Sequence, residues 1–408
     1  MPQQQPHQLN RTLSLPLVVF YGIGTILGAG IYVLVGKVAG YAGMYAVMSF
    51  IIASILASFS AFSYAELSER FPKSAGEAVY IEQGFNSRHL STVVGLMIVL
   101  MGSVSTATLM HGFVGYLKIF VSWPDTLIII GLLVLIVAVV IWGIGQSVWL
   151  AAVMTVGEII GLLIILWVAG DSFGQLPTRG AELVPPMDGL VWTGVLLGAF
   201  VAFYAYIGFE DIVNVAEEVK EPEKNLPRAI IIALVVTTLF YILIATVSIL
   251  SMPPQQLAAS DAPLALLYQQ VTGQPPTLIT IISLASVLNG ALIQVIMASR
   301  ILYGMGRQGW LPEHFGRVHG ITRTPIIATV VVGLAILSFS LILPLLSLAK
   351  LTSFITLSIF SLINLALWRI KLRGNDGVNF TVPLWVPVLG FFSSTIFLLF
   401  QIYHAIQN

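Results

Sequence analysis

Runs of about twenty apolar residues alternate with short polar segments along the whole chain. A helix rises about 1.5 Å per residue and the hydrocarbon core of a bilayer is about 30 Å thick, so segments of this length predict membrane-crossing helices, where barrel strands would need half as many residues. Eleven are expected, at 13–38, 43–68, 89–121, 125–144, 148–170, 189–216, 228–251, 276–305, 325–344, 347–369 and 383–404. Residues 1–12 read as a polar tail. The apolar run that follows is too long and too continuous with the rest for a cleaved signal peptide.

Two segments are interrupted in a way the others are not. The first reads YGIGTILGAGIYVLVG, with Gly22, Gly24, Gly28, Gly30 and Gly36; in the sixth, AFVAFYAYIGFEDIVNVAEE, Gly208 is followed by Glu210 and Asp211. Five segments separate their starts, so a repeat of segments one to five over six to ten must be inverted in the membrane. Broken helices in matching positions of two inverted halves point to a transport site near the midplane. Gly24 and Gly28 also form a GxxxG pair, which on its own signals close helix packing. The two carboxylates weigh toward a break, since each costs about 2.5–3.5 kcal/mol inside an apolar helix unless water, a partner or a helix end receives it. The glycine spacing departs from GxGxxG and follows no strand, so a dinucleotide site is rejected.

Composition narrows the function. Hydrophobic residues make up 57% of the chain and charged residues 9%, with 18 basic against 18 acidic side chains and no cysteine. The balance gives nucleic acid nothing to bind, and disulfides, thiolate metal sites and cysteine nucleophiles are excluded together. Scattered histidines, His314 and His319 among them, lack zinc-site spacing, and there is no phosphate loop. No cofactor is expected beyond a proton gradient as energy source. Basic residues gather on the cytoplasmic side of membrane proteins. With the N-terminus inside and the C-terminus on the opposite face, 14 of the 18 fall there, leaving only Lys37, Lys118, Arg179 and Lys350 outside. Both glycosylation-like triplets, at Asn10 and Asn379, then lie inside and carry no weight.

Four motifs, in order, carry a family resemblance: GIGTILGAGIYVL, YAELSERFPKSAGEAVYIEQGF, AYIGFEDIVNVAEEVKEPEKNLPRAI and SRILYGMGRQGWLPEHFGRVHGITRTP. The sequence resembles the amino acid, polyamine and organocation transporters, nearest the cationic amino acid transporter branch and its bacterial relatives. The resemblance implies an all-α polytopic membrane protein with a LeuT-like 5+5 inverted-repeat core. Residues 13–170 would form the first repeat and 189–369 the second, with helices one and six broken and 383–404 added as an eleventh crossing. Many relatives have a twelfth.

The resemblance further implies an amino acid held between the breaks. Amides around Gly28, Ala29, Gly30 and Ile31 would meet the substrate carboxylate, as freed amides at a half-helix start favour an anion. Carbonyls of Ile26, Tyr204 and Ile207, beside Gly208, would hold the ammonium. Tyr204 occupies the place of an aromatic gate in exchanger-type relatives, with Phe203 and Tyr206 as neighbours able to serve or merely to pack. Glu210 matches a carboxylate near the cytoplasmic path of the same relatives; alternatively Glu210 and Asp211 cap the second half-helix. Ser286 and Asn289 either line the site or bridge helices. The charge-rich loops read as solvated faces.

The expected function is secondary active import of L-amino acids across a plasma membrane, the inner membrane in a bacterium. The partners are then a small-molecule substrate and the lipid bilayer. Exchange of amino acids or amines, and uptake of cationic amino acids, are the alternatives; no catalytic set suggests an enzyme and no carbonyl filter a channel. Neutral substrates are favoured because the deep acids, Glu158 and Glu210, have other duties. Glu158 stands about ten residues from either end of its segment, where snorkelling to water is unavailable. Burial penalises its charged form, which suits either reversible protonation driving sodium-independent uptake or a permanently protonated acid bonded to segment one or eight.

Overall fold

The structure, a computed structural model, describes residues 11, 13–73, 76–142, 147–319, 322, 324–374 and 378–407. The rest of the expected tail, including Asn10, and Arg323 lie outside these, as does the side chain of Ala29. Fifteen α-helices follow one another among the described residues. They are α1 (Leu15–Ala42), α2 (Ala46–Arg70), α3 (Gly76–Phe85), α4 (Arg88–Leu117), α5 (Asp125–Trp142), α6 (Ser147–Val168), α7 (Leu176–Arg179), α8 (Gly189–Phe203), α9 (Pro222–Ser251), α10 (Pro254–Ala259), α11 (Pro263–Thr272), α12 (Thr277–Arg307), α13 (Ile326–Ile342), α14 (Leu345–Leu372) and α15 (Trp385–Gln407). Among the described residues the only extended pairing is an isolated bridge between Leu13 and Val219.

Each of the eleven apolar segments expected from the sequence overlaps a helix among the described residues. By length and composition, eight helical stretches among the described residues suit a membrane crossing, or nine if α6 and the turns after it, bent by 51°, form one span. One of the eight, Leu15–Arg70, contains both α1 and α2, and α13 is short at 17 residues. Apart from the sixth segment, whose α-helix stops at Phe203 where the break begins, the largest boundary difference is at α9, which starts at Pro222 rather than 228. Proline suits a first helical turn, where the missing N–H would have no partner anyway, so the polar PEKNLPR turn continues the helix beyond its apolar part.

The packing is ordered in exchanged pairs. α1 packs on α9 and α2 on α8; α4 packs on α14 and α12 on α6; α4 meets α13 and α12 meets α5. Exchanging α1, α2, α4, α5 and α6 for α8, α9, α12, α13 and α14 maps these contacts onto one another. α15 packs outside this set, on α14 and α2.

Both anticipated breaks are present. Inside α1, Gly28 leaves helical geometry at φ 5° and ψ −129°. After α8 the chain tightens into a 3-10 turn, Tyr204–Tyr206, extends at Ile207, and reaches Gly208 at φ +130° before a second 3-10 stretch, Glu210–Glu218. A side chain at Gly208 would be strained, and its Cβ would stand 2.5 Å from the Thr25 carbonyl oxygen. The GxxxG pair divides its labour. A Cβ on Gly24 would strike the Thr155 hydroxyl of α6, whereas one on Gly28 would meet nothing within 4 Å. Gly24 is a packing glycine and Gly28 the break.

Unwound backbone in a low-dielectric interior needs partners. The Tyr241 hydroxyl on α9 lies 2.6 Å from both the Ile26 and Ala205 carbonyl oxygens and shares its one proton between the two breaks. Ser286 of α12 donates to the Gly28 carbonyl at 2.8 Å. The Thr25 hydroxyl stands 2.9 Å from the Gly208 carbonyl, and the Gly208 N–H donates to Glu210 Oε2 at 2.9 Å.

The expectation that the YAELSERFPKSAGEA loop is a solvated face is corrected, because Glu66, Glu69 and Glu77 are all buried. Glu66 accepts from Arg70 and pairs with Lys371 of α14 at 2.8 Å, while its second oxygen takes the Val382 N–H. Glu69 accepts the N–H groups of Asn379 and Phe380. These partners lie some 300 residues away in sequence, which is why local charge patterning misreads the loop. α3 is held from the same side, since Arg369 and Arg373 donate to the carbonyl of Gly84 near its C-terminus.

Two outcomes follow from this packing. Tyr241→Phe leaves two buried carbonyls without their donor, a loss of about 1–3 kcal/mol for each unsatisfied group; thermal unfolding in detergent is expected at a clearly lower midpoint, and an unchanged midpoint would show that other groups support the breaks. Burial pushes the Glu77 carboxyl up to about 8 from 4.5. The fold then keeps its proton while the unfolded chain ionises, so stability falls as pH rises from about 4.5 to about 8. Glu77→Gln removes that loss. Its midpoint is expected to match the parent near pH 5 and to exceed it at pH 8, and equal midpoints at both would contradict this.

Candidate functional site

The two breaks face a small cavity of about 30 Å³. α1 contributes Thr25, Ile26 and Gly30 to its wall, and the second break contributes Tyr204, Ile207 and Asp211. Ser105 and Leu109 of α4 and Gly290, Ile293 and Gln294 of α12 complete it. The breaks meet closely beside it: a Cβ on Gly30 would come within 2.6 Å of Ala205 Cα, so the approach requires glycine at position 30.

The sequence-derived site residues fall into distinct groups. Ile26, Gly30, Tyr204 and Ile207 are in the cavity wall; Gly28, Ile31 and Gly208 stand behind it in the breaks themselves. The Ile26 carbonyl already carries the Tyr241 hydroxyl, so an incoming ammonium there would use its second lone pair or displace that proton. Of the three aromatic candidates only Tyr204 reaches the cavity. Its hydroxyl donates to the Ser105 carbonyl at 3.1 Å and lies 3.1 Å from the Ser105 hydroxyl, tying the second break to α4. Phe203 packs edge-on against Phe360, and Tyr206 packs on Tyr241 and donates to the Phe50 carbonyl.

Ser286 and Asn289 each bond across to another helix, and neither is in the wall. Ser286 holds the Gly28 carbonyl; Asn289 donates to Glu158 Oε1 at 3.3 Å. Glu158 is thus buried between α6 and α12, its backbone carbonyl takes the Tyr32 hydroxyl of α1 at 2.7 Å, and its Oε2 has no partner among the described residues. Glu210 caps the second break through the Gly208 N–H, with Oε1 left open.

Asp211 is the residue whose role the sequence understates. It opens onto the cavity and accepts from Gln294 Nε2 at 3.2 Å through Oδ2, while its Oδ1 has no partner among the described residues. Thr25, Ser105, Tyr241 and Gln294 were not singled out from sequence. Gln294 carried a signal, since with Ser286 and Gly290 it repeats at helical spacing along one face of α12. No group of three His, Cys, Asp or Glu side chains suited to a metal occurs among the described residues.

Comparison with known proteins accords with this arrangement. Residues 13–407 match the family model described as amino acid permease. The chain is 29% identical to cationic amino acid transporter 4, vacuolar, of Arabidopsis thaliana, over 91% of this chain and 65% of that protein. It is also 29% identical to the branched-chain amino acid permease of Bacillus subtilis, over 90% of this chain and 82% of the relative, and to the methylthioribose transporter of the same organism, over 98% and 89%. The chain spans 60–65% of the length of the three plant transporters it matches. Because the family match runs unbroken through both interrupted helices and on into α15, the chain belongs to the amino acid permease family.

Proposed function

We propose that the protein is a secondary transporter that imports an L-amino acid by alternating access, with the substrate held in the cavity between the two breaks. The observation that carries this reading is that both breaks line one cavity, their freed backbone groups beside it. Tyr204, tied to Ser105, covers that cavity as a gate. The exchanged packing pairs support a 5+5 inverted repeat over 13–170 and 189–369 with α15 as an added crossing, eleven in all. In this reading the N-terminus is cytoplasmic, the C-terminus is on the opposite face, and the membrane is the plasma membrane.

Coupling runs through Glu158. Glu158 on α6 accepts from Asn289 of α12, which stands three residues from Ser286, the donor to the Gly28 carbonyl, so a change in its protonation would reach the first break through one turn of α12. Transport is then proton-driven and independent of sodium. In proteoliposomes an inward proton gradient is expected to stimulate uptake of radiolabelled amino acid without sodium. Glu158→Gln, which mimics the protonated acid, is expected to bind substrate but to lose the response to pH. Full pH-driven accumulation by Glu158→Gln, or an absolute requirement for sodium, would overturn the coupling assignment.

A further inference from the structure

One hydroxyl serves both breaks. Tyr241 of α9 is fully buried, and its phenolic oxygen lies 2.6 Å from the Ile26 carbonyl oxygen of the first break and 2.6 Å from the Ala205 carbonyl oxygen of the second. A phenol has a single proton to donate and a carbonyl has none to return, so one of the two carbonyls holds that proton while the other goes without. The ring itself is packed on two sides, by Tyr206 edge-on at 5.0 Å between centroids and by Phe50 at 5.9 Å. The proton changes partner by turning the O–H bond, with no movement of the ring.

The two acceptors differ in what they face. Ile26 lines the cavity and Ala205 does not; Ala205 sits in the 3-10 turn between Tyr204, which is in the wall, and Tyr206. Ala205 is also where the breaks touch, since a Cβ on Gly30 would stand 2.6 Å from its Cα. An ammonium arriving at the Ile26 carbonyl is a charged donor, and such bonds are about twice as strong as those of a neutral hydroxyl. It displaces the phenol, and the cost of leaving a buried carbonyl unpaired directs the freed proton to Ala205. We propose that Tyr241 is a positioning residue for transport: it passes its hydrogen bond from the Ile26 carbonyl to the Ala205 carbonyl as substrate binds, and so conveys occupancy of the first break to the turn that carries Tyr204. This rests on the reading of the cavity as the amino acid site, with the substrate ammonium at Ile26 and Tyr204 as its gate.

The test uses the full-length chain, in detergent for binding and in proteoliposomes for uptake, with whichever of radiolabelled leucine and lysine the parent transports. Tyr241→Phe leaves the Ile26 carbonyl free for the ammonium but has nothing to pass to Ala205. Its Kd is expected to stay within about threefold of the parent while kcat per binding site falls at least about tenfold. Counting turnover per binding site separates this from instability, which removes sites without slowing those that remain. Tyr206→Phe is the matched control, because it removes the neighbouring buried hydroxyl, a donor to the Phe50 carbonyl of α2, and is expected to leave kcat and Kd unseparated. Parental kcat in Tyr241→Phe, a Kd that weakens in step with kcat, or the same split in Tyr206→Phe would overturn the proposal. Where Tyr241→Phe does not fold, 3-fluorotyrosine at position 241 keeps the hydroxyl, and its fluorine resonance is expected to move when saturating amino acid is added; an unmoved resonance would overturn the proposal equally. Absence of binding for every amino acid would instead sink the broader reading of the cavity.

Discussion

A helix that breaks inside a membrane must find partners for the backbone groups it frees, and this requirement organises the centre of the molecule. The partners come from helices that are remote in sequence. Tyr241 of α9 stands between the carbonyls of Ile26 and Ala205, Ser286 of α12 takes that of Gly28, and Thr25 reaches across to Gly208. Each contact satisfies a buried polar group and at the same time ties one break to a scaffold helix or to the other break. The cavity exists because these bonds hold the two interruptions open without filling the space between them. Glycine enters as a consequence: at position 30 the chains approach within a distance no Cβ permits, and at 208 the backbone adopts a φ that other residues avoid.

Two buried carboxylate systems flank this centre and differ in their surroundings. Glu158 lies behind the first break, among Asn289, Tyr32 and the helix carrying Ser286, and has no opening onto the cavity. Asp211 lies beyond the second break and opens directly onto it. Glu210 between them has a third task, satisfying the Gly208 amide. Three acids within apolar segments thus separate by what they face, a distinction that composition and spacing alone do not make.

Much of the architecture was legible in the sequence because a bilayer admits few solutions. Continuous apolar runs declare helices, and Gly28 and the Gly208–Asp211 cluster declare interruptions. What was hidden depends on contacts between distant segments. Gly24 and Gly28 look alike in a motif, yet Gly24 faces Thr155 and Gly28 faces open space. Glu66 and Glu69 look like a solvated loop, yet they bind Lys371 and the amides at 379–382. Asp211 reads as a capping acid next to Glu210, and its exposure to the cavity becomes apparent only once Gln294 is seen beside it. Local chemistry announces that a buried acid needs a reason, but the fold decides which reason applies.

The central claim, that substrate occupies the space between the breaks, can be read out with a single thiol because the chain has no cysteine of its own. Ile293→Cys places one in the cavity wall, and Gln274→Cys places a control at an exposed position before α12. The measurement is the rate of maleimide alkylation of each variant in proteoliposomes that still transport. Saturating transported amino acid should slow labelling at position 293 and leave position 274 unaffected. Equal rates at position 293 with and without substrate, while uptake continues, would place the substrate elsewhere and contradict the account.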